Sequence, residues 1–268
     1  MTTRTAATGT APSTPAAALA VAAQIAYPLV HGSARDAVTA LVVLSLAVAA
    51  VTHAWSTRGF RWAAALLVVT AGLGLLSEVV GTATGIPFGC YEYAQGRLGP
   101  ALAGVPLLVP LAWTAGSYPV WCAATHAVGR SRPLPRAALA AVGIVGWDLY
   151  LDPQMVADGQ WRWCSVHANL PGLEPIPWTN YAGWLLVAAA IAATLTWADR
   201  RLTDAAPPAA TDAVPLALFL WTWLGSALAH AVFLPGLDRS ALYGLVGMGA
   251  VGVPLLSRLS RAGTMTTC

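Results

Sequence analysis

Long apolar runs separated by short polar breaks dominate the chain. Stretches almost free of charge cover residues 16–31, 37–54, 62–80, 101–124, 137–155, 178–198, 213–234 and 240–257. Most approach the roughly 20 apolar residues that a helix needs to cross a bilayer. The pattern predicts an all-α, polytopic transmembrane bundle of about eight helices, seven if the first run is discounted. The fifth run qualifies by apolar density, since it carries acids. The predicted organisation is a disordered N-terminal tail over residues 1–15, one helical domain over 16–258 and a short C-terminal tail over 259–268. The small polar and Pro-containing stretch "MTTRTAATGTAPSTP" reads as such a tail rather than as a cleaved signal peptide, because no basic run precedes the apolar stretch. No internal repeat of the inverted-repeat transporter kind is evident.

Composition agrees with the pattern. Of 268 residues, 57% are hydrophobic and 9% charged, far below the roughly 25% charged share of soluble domains. The location expected is the cell membrane. All basic residues are Arg and the net charge is +3, which at helix ends reads as bilayer topology and implies no nucleic-acid partner. Arg4, Arg58, Arg61, Arg130, Arg132, Arg136, Arg200, Arg201, Arg258 and Arg261 fall on one side, and Arg35, Arg97, Arg162 and Arg239 on the other. The excess places both termini in the cytoplasm, and the long aromatic loops 81–100 and 156–177 then face outward. Loops of that length commonly carry function. Cys90, Cys122, Cys164 and Cys268 show no metal-finger or redox-pair spacing, but Cys90 and Cys164 both lie in outward loops and form a candidate disulfide tying them over the site.

Depth arithmetic at 1.5 Å per residue gathers polar side chains at one level. Glu78 falls about 24 Å along the third run, Asp148 and Asp152 about 17 and 23 Å along the fifth, and His230 about 26 Å along the seventh. Asn180 and Tyr181 lie near the outer end of the sixth, so four helices bring polar groups to the outer half of the bilayer. His53 and His126 lie at inner helix ends beside arginines, as interfacial residues. Asp148 and Asp152 are spaced i, i+4 and project from one helix face, with Pro153 expected to kink or end the helix. Two carboxyls so placed in a low dielectric do not readily both ionise, and the pair is expected to hold a proton. Acids at membrane depth are costly and commonly functional; the plainer alternatives are that Asp152 caps a helix end, Asp148 bonds a neighbouring helix, Glu78 is solvated near the interface and His230 is a packing residue. Asp158, beyond Pro153, is expected to be solvated. Trp147, Trp161, Trp163, Trp178, Tyr91 and Tyr93 lie on the same side. Aromatic residues form interfacial belts, yet a ring face also stabilises a cation by roughly 0.5–2 kcal/mol.

The stretches "GTATGIPFGCYEY", "WDLYLDPQMVADGQWRW" and "IPWTNYAGWLL", in this order between apolar helices, resemble the integral-membrane carotenoid hydratase family, of the gamma-carotene 1′-hydroxylase and bisanhydrobacterioruberin hydratase type, over roughly residues 60–255. The resemblance implies addition of water across the terminal C1′=C2′ double bond of an acyclic carotenoid end, giving a tertiary alcohol without cofactor or metal. It implies a lipophilic carotenoid substrate, membrane lipid as surroundings and other membrane enzymes of the carotenoid pathway as partners. The chemistry needs an acid, a cation-tolerant wall and a held water. Asp148 and Asp152 are candidates for the acid; Glu78, His230 or Asn180 for holding the water; and Trp147, Trp161, Trp163, Trp178, Asn180, Tyr181, Tyr91 and Tyr93 for binding substrate. Two rivals remain at this stage. Asp-x-x-x-Asp also resembles half of the magnesium-diphosphate motif of membrane prenyltransferases, although a second acidic cluster is missing and most arginines lie at the opposite face. Intramembrane acids also mark transporters and proton relays.

Overall fold

The computed structural model describes residues 12–202 and 212–265, so most of the expected N-terminal tail and the end of the C-terminal one lie outside the described residues. The predicted all-α class is found. Among the described residues eight helices follow in order: α1 (Thr14–Ala26), α2 (Gly32–Arg58), α3 (Phe60–Thr84), α4 (Leu108–Val128), α5 (Pro133–Ala157), α6 (Trp178–Leu202), α7 (Ala213–Phe233) and α8 (Asp238–Met265). Six of them, α2, α3, α5, α6, α7 and α8, are long and apolar enough to cross a membrane, as expected of a multi-pass membrane protein. Their outer faces carry exposed Val68, Leu76, Leu186, Leu228, Val246 and Val253, an apolar surface that suits lipid rather than water.

The other two helices depart from that norm for different reasons. With the single 3₁₀ turn that follows it, α1 reaches only from Thr14 to Leu29. In α4, Trp113, Thr114, Ser117, Tyr118, Trp121 and Thr125 are all buried, because α2, α3, α5, α7 and α8 surround it. A helix shielded by protein can carry hydroxyls and indoles that a lipid-facing one would avoid. Its start is also later than the predicted residue 101. Ala101–Leu102 (β2) pairs antiparallel with Val105–Pro106 (β3), turning at Ala103 and Gly104 with φ of 51° and 83°. Positive φ at two successive residues is incompatible with a helical start there. Pro153 does not end α5, which runs on to Ala157, and α8 continues to Met265.

The two long loops form a second small sheet. Tyr91–Tyr93 (β1) pairs antiparallel with Trp161–Trp163 (β4), with Tyr91 opposite Trp163 and Tyr93 opposite Trp161. Alternation puts Tyr91 and Tyr93 inward and Glu92 outward, and Arg162 Nη2 meets Glu92 Oε1 at 2.5 Å on the outer face. Cys90 and Cys164, next along each strand, are joined as a disulfide, so the expected pairing is present.

Ion pairs brace both ends of the bundle, which the reading of arginines as topology signals alone had missed. At one end Arg35 meets Asp158 at 2.7 Å, while Arg97 meets Asp36 at 2.6 Å. Tyr27 also donates to Asp158; Asp158 is therefore paired and largely buried, not solvated. At the other end Asp212 receives Arg58 at 2.8 Å and His126 at 3.0 Å, and Asp199 receives Arg130 at 2.7 Å and Arg136 at 2.9 Å. His53 is buried there and bonds Tyr118 at 2.8 Å, so it is a core residue rather than an interfacial one.

Candidate active site

The small sheet lies over one end of the bundle, and beneath it is a cavity of about 440 Å³. α3 contributes Glu78, buried to 4% exposure. Gly74 and Gly81 flank it on the same helical face, at i−4 and i+3. A Cβ at Gly74 would stand 2.7 Å from Trp113 Cγ, and one at Gly81 2.9 Å from the Tyr91 hydroxyl. The absence of both side chains lets those two rings close on the carboxylate. Glu78 accepts from Tyr91, from Tyr93 at 2.7 Å and from the Trp113 indole at 3.2 Å. It is therefore held by neutral donors and is not solvated. Burial first, and then the adjoining Glu78, keep the Tyr91 and Tyr93 phenols above their ordinary range, so both remain donors at neutral pH.

α5 presents Asp148 and Asp152, at 0% and 3% exposure. One amide from α6 joins them: Asn180 Nδ2 donates to Asp152 Oδ2 and reaches Asp148 Oδ2 at 3.2 Å. Among the described residues, neither meets an Arg and Asp148 Oδ1 receives no donor. Asp152, Asn180 and Glu78 line the cavity, whereas Asp148 stands behind Asp152. The residues expected from helix depth are thus brought together from α3, α5 and α6. His230 lines the cavity farther along α7; its Nδ1 lies 2.9 Å from Ser240 Oγ and its Nε2 3.0 Å from Gln154 Oε1.

Aromatic rings recur around the wall. Trp147, Trp161, Trp163, Tyr91 and Tyr93 line it as expected. Two rings that the sequence reading passed over join them: Trp113 and Trp184 stack with centroids 3.9 Å apart and planes 19° apart. Trp184 was within reach of sequence reasoning, since it sits one helical turn beyond Asn180. Two expected members fall away. Trp178, the first residue of α6, is 54% exposed, a position fitting an interfacial belt, and Tyr181 is absent from the cavity lining and packs with Leu173 and Ile176.

The profile of carotenoid biosynthesis proteins matches residues 37–251. The chain belongs to that family. Within this carotenoid biosynthesis protein, the matched region contains Glu78, Asp152, Asn180 and His230, which line the cavity, and Asp148 behind them. The chain is also similar to bisanhydrobacterioruberin hydratase of Haloarcula japonica, at 36% identity over 130 residues. That alignment takes in 43% of this chain and 41% of the hydratase. No solved structure matches. Among the described residues no group of three or more His, Cys, Asp and Glu side chains is arranged to hold a metal ion.

Proposed function

We propose that this protein is a carotenoid hydratase that adds water to the terminal double bond of an acyclic carotenoid end. The observation that carries the reading is the meeting of Asp152, Asn180 and Glu78 in a cavity whose other lining residues are mostly apolar or aromatic. An uncharged hydrocarbon offers nothing for a charged pocket to bind, so polar groups placed there belong to the chemistry. The partial similarity to a hydratase supports the same reaction class.

The residues suit a proton-first mechanism. The Asp148/Asp152 pair holds one proton, and Asp152 presents it to the less substituted carbon of the trisubstituted alkene. The π pair forms the new C–H bond and leaves a tertiary cation at the neighbouring carbon. The carboxylates, together with the faces of Trp161, Trp163 and the Trp113/Trp184 stack, stabilise that cation, each well-placed ring by roughly 0.5–2 kcal/mol. A water held by Glu78 and Asn180 supplies the C–O bond, and its surplus proton returns to the aspartate pair. One alkene and one water give one tertiary alcohol, with no change in oxidation state overall. General acid catalysis of this kind is worth typically 10²–10⁴ in rate.

Expression in a host that makes acyclic carotenoids, grown with H₂¹⁸O, tests the assignment. The expected product is heavier by one labelled water for each end processed. Unchanged lycopene, gamma-carotene and bisanhydrobacterioruberin would overturn it, and activity abolished by EDTA would instead favour a metal-dependent prenyl transfer.

A further inference from the structure

The cavity is too small for the whole substrate. A volume of about 440 Å³ lies at the lower end of pockets that enclose drug-sized ligands. A fully extended carotenoid is about as long as the hydrocarbon core is thick, roughly 30 Å. Most of its length must leave the bundle, and one wall differs from the rest. On that side the lining comes from α1 and α7, through Gln24, Ile25, Trp221, Gly225 and Ala229.

Three features mark this seam as the exit. Outside it, a second apolar groove of about 510 Å³ runs between the same two helices, lined by Ala17, Val21, Val214, Ala217 and Leu218, and it shares Ile25 and Trp221 with the cavity. From Ile25 to Thr14 it follows α1 for about 16 Å. The Trp221 indole donates to Gln24 Oε1 at 2.9 Å, the polar link between the helices where cavity meets groove. Finally, α7 is π-helical at Trp221–Gly225 and again at Ala229–Phe233, and both segments line the cavity. Such departures from α geometry commonly accompany functional surfaces.

We propose that the bundle encloses only the acyclic terminus of its substrate, and that the polyene leaves between α1 and α7, past Gln24 and Trp221, to lie in the groove beside Val21, Ala217 and Leu218. This rests on the hydratase reading for the identity of the ligand. It follows that a carotenoid with two reactive ends is processed one end at a time, with release and rebinding between them.

A bulky side chain in the groove separates the path from the chemistry. Ala217→Trp fills the groove outside the cavity, and Ala217→Ser controls for substitution at that site. Purified proteins are exposed to vesicles carrying either lycopene or a short acyclic terpene with the same terminus, and the hydrocarbon retained by the protein is extracted and quantified. The expected result is at least tenfold less lycopene bound by Ala217→Trp than by Ala217→Ser, with a much smaller loss of the short terpene. Equal lycopene binding, equal losses of both probes, or no lycopene bound by any form would overturn the proposal. Because the readout is binding, lycopene taken up by the unsubstituted protein but never hydrated would count against the hydratase reading and leave the path standing.

Discussion

Asn180 donates its side-chain amide to Asp152 and reaches Asp148 at 3.2 Å, so a single residue of α6 fixes two carboxyls of α5 at their i, i+4 spacing. It holds their Oδ2 atoms together, and among the described residues Asp148 Oδ1 has no donor. Replacing Asn180 with Leu removes the bridge while keeping similar bulk. Hydration should fall by about 10² or more, in the range associated with general acid catalysis. A smaller loss in Asn180→Gln than in Asn180→Leu would support the bridging role; equal activity of Asn180→Leu and the parent would contradict it.

Gly81 leaves room for the Tyr91 hydroxyl, which a Cβ would approach to 2.9 Å. Gly81→Ala should displace that donor from Glu78, and Tyr93→Phe removes the other phenol, at 2.7 Å. Each leaves a buried acceptor with one bond fewer, a cost of about 1–3 kcal/mol, read as a roughly tenfold or larger drop in turnover. Since both phenols lie above their ordinary range through burial and the nearby Glu78, the pH–rate profile should show no phenol-dependent fall between pH 7 and about 10. An alkaline limb in that interval that disappears in Tyr93→Phe would count against this placement.

The Cys90–Cys164 bond closes a span of 74 residues beside the strands that carry Tyr91, Tyr93, Trp161 and Trp163. Loss of a native disulfide typically costs 2–5 kcal/mol. Cys90→Ser and Cys164→Ser should lower the thermal midpoint and weaken activity alike, and the double variant should match either single one. Identical electrophoretic mobility with and without reductant would show that the bond is absent from the purified protein.

At the other end, burial alone would raise the Asp212 carboxyl, but His126 and Arg58 outweigh it and hold the group below the usual carboxylate range. A carboxyl lowered by folding contributes stability above its unfolded value, near pH 4, and loses that contribution as the pH falls through its folded value. Asp212→Asn should therefore melt below the parent at pH 7, with the gap narrowing as the pH is lowered through the acid range. A gap that widens in acid would contradict the sign.

Several parts of this arrangement were legible in the chain. Apolar runs locate the helices because each must satisfy its own backbone in lipid, and counting residues along them brings Glu78, Asp152 and Asn180 to one depth. Alternation in "YEY" and "WRW" is the period-two signature of paired strands, although the segments are too short to announce themselves as a sheet. Helix rotation was harder to read. Tyr181 lies next to Asn180 in sequence yet is absent from the cavity lining, and Trp113 sits on a helix with no charged landmark. The Arg35–Asp158 and Arg58–Asp212 pairs join residues more than a hundred positions apart, contacts that no local pattern encodes.

The central claim is that protons pass from the aspartate pair to carbon before water adds. Reaction of the purified protein with an acyclic carotenoid in D₂O tests it directly, with the product analysed for carbon-bound deuterium. One deuterium per hydrated end, on the carbon adjoining the new tertiary alcohol, is predicted, with turnover lost in folded, carotenoid-binding Asp152→Asn. A product without carbon-bound deuterium, or an Asp152→Asn protein that hydrates at the parent rate, would contradict the account.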